Sequence, residues 1–250
     1  MSRTLLTSLL ALFFGSLIGC GEGVVKSTEP EVGVEKEREK KARQLFVTAS
    51  VKSHTDKIPY LKKLISLYPE SSLVPQAHMK IIQVLLHPTI NRADEALANV
   101  RVFAHRHPTH SYAVEVWYWM ALHWKDDTDR GPKIRTEWKA WLDETRGRDD
   151  LDDPDFKAFL WLHSAYAANW TGDKQAALEL LNEASEWEIP DKGVQALIAL
   201  RTGSYRADLG DRAEARAAFE KALQLAQDGA KGVSVEAIRN ELKGLLSDGK

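Results

Sequence analysis

The sequence has one cysteine, Cys20, in 250 residues, so no disulfide can form within the chain and no cysteine cluster can hold zinc. It lacks an excess of either charge: 34 lysines and arginines against 36 aspartates and glutamates leave a formal net charge of -2. With no basic block there is no electrostatic footprint for a nucleic-acid backbone, which excludes that class of partner. The one extended apolar run, Leu5 to Ile18, has 14 residues where a bilayer span needs about 20. No segment alternates apolar and polar residues for long, as a half-buried strand would. There is also no glycine-rich phosphate loop, no paired acid and base, and no order of Ser, His and Asp that selects a triad. No cofactor and no small-molecule substrate are expected, and the reading is not that of an enzyme.

What the chain does have is helical periodicity. Apolar residues recur at three and four positions: Ala42, Leu45, Phe46 and Ala49, then Ile58, Leu61 and Ile65, and finally Val235, Ile238, Leu242 and Leu245. Breakers fall between these stretches, at Pro69, Pro88, Pro108, Pro154, Gly172-Asp173, Pro190 and Gly210-Asp211. They predict an all-α chain of about eleven helices joined by short turns.

The helices repeat. The central apolar residues of every second helix, Leu61, Val100, Trp138, Leu181 and Phe219, are separated by 39, 38, 43 and 38 residues. The most regular unit reads Gly203, Gly210-Asp211, Ala215, Phe219, Ala222, and the unit before it reads Ala165, Gly172-Asp173, Ala177, Leu181, Ala184. Small residues stand where helices approach closely, and a large one fills the gap between them. This pattern resembles the tetratricopeptide repeat. The resemblance implies a helical-hairpin solenoid of about five repeats over residues 35–250, closed by a capping helix from about Ser234 to Leu246. Bulky residues replace small ones in the earlier units, as at Ile134, Trp138 and Trp141.

The N-terminus, "MSRTLLTSLLALFFGSLIGC", places Arg3 before the apolar run and Leu17-Ile18-Gly19-Cys20 after it. This resembles the lipobox of bacterial lipoproteins. The resemblance implies a signal peptide over 1–19 and a lipidated Cys20 on a flexible tether over 20–34, anchored to a membrane on its periplasmic side. Gly21, standing where an Asp favours inner-membrane retention in enterobacteria, points to the outer membrane. The joints "LISLYPESSLVPQAHMKII" and "FAHRHPTHSYAVEVWYWMAL" pair an aromatic or His with Pro, then a Ser-bearing turn, then an apolar helix. Over about residues 60–125 they resemble the outer-membrane protein assembly factor D family, which implies a scaffold role in a cell-envelope complex.

Carried over by position, the repeat pattern places His78, Ile81, Trp119, His123, Phe159, Leu162, Tyr166 and Asn169 on the inner face of the first helices. There they would bind a protein or peptide partner. In the same reading Trp117 and Tyr118 pack the hairpin. The rival chemistry lies in His105, His107 and His110, whose imidazoles would have to converge on a metal for an envelope enzyme. On a helix His105 and His107 point about 200° apart, so the joint reading, with Thr109 to Ser111 as turn and cap, is preferred. A glycan-binding module would instead need Trp124 and Trp187 as open stacking platforms. Asp127 and Asp129 begin like a calcium loop, but the twelfth position is Trp138, which leaves a solvated turn. Asp153 before Pro154 predicts a helix cap.

Overall fold

The computed structural model describes residues 29–247, and the regular elements among them are eleven helices. The expected signal peptide, Cys20 and most of the expected tether lie outside the described residues. The described chain divides into two compact units, 29–145 and 146–247.

The first unit carries three hairpins: α1 (Glu29–Ser50) with α2 (Lys57–Leu67), α3 (Val74–Leu86) with α4 (Ala93–Arg106), and α5 (Ser111–His123) with α6 (Arg130–Arg146). α1 begins at Glu29, inside the stretch assigned to the tether. Pro30 stands in its first turn, where a missing N–H breaks no helical bond. Leu61, Val100 and Trp138, the repeat-marking residues of α2, α4 and α6, are completely buried. Trp138 meets Tyr118 at 5.9 Å between ring centroids, and Trp117 meets Trp141 at 6.5 Å. The bulky residues of this repeat therefore fill a wider gap between its helices. On the surface Arg101 of α4 holds Glu137 of α6 through two hydrogen bonds of 2.6 and 2.8 Å, tying successive second helices.

The second unit packs α7 (Pro154–Trp170) with α8 (Lys174–Ser185) and α9 (Lys192–Leu209) with α10 (Arg212–Gln227), ending in α11 (Val235–Ser247). Leu181 is fully buried and Phe219 is 1% exposed, so all five repeat-marking residues lie in the cores of their units. A Cβ on Gly203 of α9 would stand 2.6 Å from Phe219 Cδ1, so glycine is required for this close approach. Gly172 and Gly210 adopt φ of 93° and 91° and end their first helices. The following amides, Asp173 and Asp211, donate back to the carbonyls of Ala168 and Arg206 at 2.9 Å, closing the exposed helix ends. Phe219 and Ala222 of α10 pack with Ile238 of α11, the only residue of α11 that is fully buried among the described ones. Leu242 and Leu245 lie beside it half-covered, as in a terminal helix with one apolar face.

Asp153 caps α7, its Oδ1 accepting from the amides of Asp155 at 2.9 Å and Phe156 at 3.3 Å. Asp155 in turn accepts from the amide of Asp191, the residue that caps α9, at 2.9 Å. The starts of two successive first helices are joined through one carboxylate.

Candidate functional site

The joint around Pro108 is built by its histidines. His107 ends α4, its amide donating to the Phe103 carbonyl at 2.9 Å, and Pro108 prevents the helix from continuing. His110 then starts α5: its Nδ1 accepts from the Tyr112 amide at 3.1 Å, filling the place usually held by Ser, Thr, Asp or Asn. That bond needs an unprotonated Nδ1, and burial pushes the His110 pKa down to about 4, with His107 adding to the shift. His105 points away into solvent on α4. Among the described residues no three His, Cys, Asp or Glu side chains are placed to hold a metal ion, so the three histidines do not form a ligand set. His107 and His110 mark helix ends.

His78 joins the same cluster. Its ring stacks on Phe103 at 5.2 Å and 17° and lies 6.3 Å from His107. It is 3% exposed, and burial, then His107 and Arg106, lowers its pKa to about 4.

The residues expected to face a partner differ in accessibility. Trp119 is half-buried and His123 exposed, both on the stripe of α5 that the hairpin does not cover. Tyr166 and Asn169 are half-buried at the C-terminal half of α7. Ile81 and Leu162, at 0% and 1% exposure, have no surface to offer and belong to the core, as do His78 at 3% and Phe159 at 8%. The reason is helix phase. Every residue of α7 from Ala158 to Ala165 is buried, because α8 and α9 cover it on two sides. A helix apolar all round carries no polar stripe from which a facing side could be read.

In each unit one further residue, not singled out from the sequence, lies beside these accessible side chains. Glu115 lies one turn before Trp119 on the same stripe of α5, and burial raises its pKa to about 7. A carboxylate among the helical apolar residues of "SYAVEVWYW" was the available signal. In the second unit Arg201 of α9 stands 5.0 Å over the Tyr166 ring and its Nε donates to the Tyr166 hydroxyl at 3.2 Å. His163, one turn before Tyr166, is held neutral by burial and by Arg201, its pKa near 3. The first unit thus presents an acidic and aromatic stripe, and the second a cationic and phenolic one.

The glycan-platform reading meets a physical obstacle. Trp124 is 6% exposed with the Arg130 guanidinium 5.8 Å over its ring. Trp187 carries Lys157 at 4.4 Å over its ring and meets Trp161 edge-on at 4.9 Å. The chain's own cations already occupy these ring faces. Asp127 is a turn residue: its Oδ1 accepts from the amides of Asp129 and Arg130 at 2.9 and 2.7 Å. Among the described residues no helix is long and apolar enough to cross a membrane.

No family model matches the sequence, and neither does any curated protein. Among solved structures the chain is similar to a thermophilic TPR protein of Thermus thermophilus. Identity is 17% over 85% of this chain and 99% of that one, with a TM-score of 0.54. It is also similar to pilF of Pseudomonas aeruginosa, at 13% identity over 89% of this chain and 96% of that one, with a TM-score of 0.51. At such identities the likeness concerns the fold, and it agrees with the repeat spacing, the Gly203–Phe219 contact and the glycine-ended first helices: the chain has the all-α tetratricopeptide repeat fold.

Proposed function

We propose that the protein is a non-catalytic scaffold of the cell envelope, held to a bacterial membrane by lipid on Cys20, that binds a protein partner through its first helices. The observation that carries the binding role is the accessible stripe on α5 formed by half-buried Glu115 and Trp119 and exposed His123. It combines a large aromatic anchor with a desolvated carboxylate, on a helix whose other faces are packed. Tyr166, Asn169 and Arg201 give the second unit a surface of the same kind. Rigid aromatic and arginine side chains of this type supply much of the affinity at protein interfaces. The lipobox-like start supports the anchor, and the joints at Pro69 and Pro108 support a place in outer-membrane protein assembly, on the periplasmic side of the outer membrane.

The test is affinity capture of the full lipidated chain from its native envelope, beside Trp119→Ala and Tyr166→Ala variants whose helicity matches the parent. Loss of the captured partner in either folded variant supports the surface. Undiminished capture by both would show that it binds nothing. Recovery of barrel-assembly components would support the assembly role, whereas a different stable complex would exclude it.

A further inference from the structure

Helix α5, SYAVEVWYWMALH, holds no lysine or arginine, and Glu115 is its only acid. Other carboxylates of the first unit meet cations supplied by the chain: Glu95 has Lys62 and Arg92, and Glu137 has Arg101. Glu115 is half-buried and has no hydrogen bond or ion pair among the described residues. Burial alone raises its pKa to about 7, and no positive charge acts to lower it. Trp119 stands four residues on, where side chains of a helix lie about 5–6 Å apart at Cβ. It too is half-buried, with no ring, cation or hydrogen-bond partner among the described residues. The neighbouring indoles are engaged: Trp117 with Trp141, Trp138 with Tyr118, and Trp124 with Arg130. His123 is exposed one turn further, and partial burial of its ring lowers its pKa, so it carries no charge at pH 7.5. From Glu115 to His123 the stripe runs about 12 Å along the helix.

We infer that the partner bound at this surface presents an arginine, whose guanidinium pairs with the Glu115 carboxylate and whose stem and guanidinium plane lie against Trp119. This rests on α5 being the binding face. Charge complementarity selects a cation, because a carboxylate stripped of water is stabilised by an opposite charge brought beside it. Arginine fits this place better than lysine. Its planar fork takes both carboxylate oxygens and stacks on an indole face, and it is more weakly hydrated than an ammonium, so it loses less on entering a half-buried site. A metal ion would need further ligands, and no three His, Cys, Asp or Glu side chains among the described residues are placed to supply them. The length of the stripe favours an arginine within a polypeptide over a free guanidinium compound: one side chain covers Glu115 and Trp119, and the chain that bears it reaches His123.

The full chain is titrated at pH 7.5 with N-acetyl-arginine amide, N-acetyl-lysine amide and the uncharged N-acetyl-citrulline amide. Binding is followed by NMR at the Glu115 side-chain carboxyl carbon and the Trp119 indole N–H. At millimolar concentration the arginine compound should give saturable shifts at both positions, at least about tenfold more tightly than the citrulline compound, the scale of a charge-assisted bond. It should also lower the pH at which the Glu115 carbon titrates, and the lysine compound should bind more weakly. Glu115→Gln should remove the preference for arginine over citrulline. No saturable shift with arginine, equal affinity for arginine and citrulline, lysine bound as tightly as arginine, or a preference that persists in Glu115→Gln would each overturn the inference. Envelope capture separates it from the reading beneath it. Loss of the partner in both Trp119→Ala and Glu115→Gln, each with the parent's helicity, supports the surface and the arginine together. Loss in Trp119→Ala with undiminished capture by Glu115→Gln keeps the α5 surface and overturns the arginine, whereas undiminished capture by both overturns the two at once.

Discussion

The buried titratable residues pull stability in opposite directions with pH. His78, His110 and His163 have folded pKa values near 4, 4 and 3, below the ordinary 6.5, so the unfolded chain binds protons more readily than the folded one. Their neutral forms contribute fully above about pH 6.5, and that contribution is lost as pH falls towards 4. Glu115 is the reverse case: its folded pKa of about 7 lies above the ordinary 4.5, so burial is harmless below pH 4.5 and destabilises increasingly up to pH 7. Stability measured by urea unfolding should therefore fall steeply below pH 6. Glu115→Gln should raise it at pH 8 by about 1–3 kcal/mol and leave it unchanged at pH 4.5. A uniform gain at all pH values would mean that Glu115 is not desolvated. His110→Asn should keep the α5 cap and soften the acid limb, because an amide oxygen accepts the Tyr112 N–H without titrating.

At the scale of the helices, two kinds of glycine should respond differently to one added methyl. At Gly203 the new carbon meets the Phe219 ring at 2.6 Å, so Gly203→Ala forces α9 and α10 apart at a cost of about 1–3 kcal/mol. Gly210 has nothing within 4 Å of an added Cβ, and its positive φ alone makes Gly210→Ala cost about 1 kcal/mol. Adding Phe219→Leu to Gly203→Ala should recover part of the loss, whereas added to Gly210→Ala it should only lower stability further. Chemical denaturation of these four variants and of Phe219→Leu alone checks this, and additive losses in both pairs would deny the close contact. These two roles were legible in the sequence, because small, large, small spacing and a Gly-Asp turn each have one geometric meaning. The same holds for the five buried residues from Leu61 to Phe219, since a second helix has one apolar stripe and its phase can be read. The facing sides of α3 and α7 could not be read: Ile81 and Leu162 sit in helices covered on more than one side, where apolar character gives no direction. His110 as a cap was equally hidden, because imidazole seldom takes that place, and the tie from Asp155 to Asp191 spans 36 residues that only folding brings together.

For the whole molecule, the proposed anchor and the proposed binding surface lie far apart in sequence, Cys20 before the helices and Glu115 to His123 within them. Each acyl chain contributes about 0.8 kcal/mol per buried methylene, and one chain alone binds a membrane only reversibly, so lasting attachment needs several chains on Cys20. Cys20→Ser removes the acceptor thiol without touching any described residue. In cells the parent should incorporate labelled palmitate and sediment with membranes, while the variant should do neither and keep the same helical content once purified. The variant should still bind the isolated partner with unchanged affinity, because the contacts on α5 are intact. Capture from the envelope should nevertheless fall, since a membrane-held chain meets a membrane-held partner at a higher effective concentration. Continued sedimentation of Cys20→Ser with membranes, in the absence of label, would place the anchor elsewhere and leave the stripe on α5 to be tested separately.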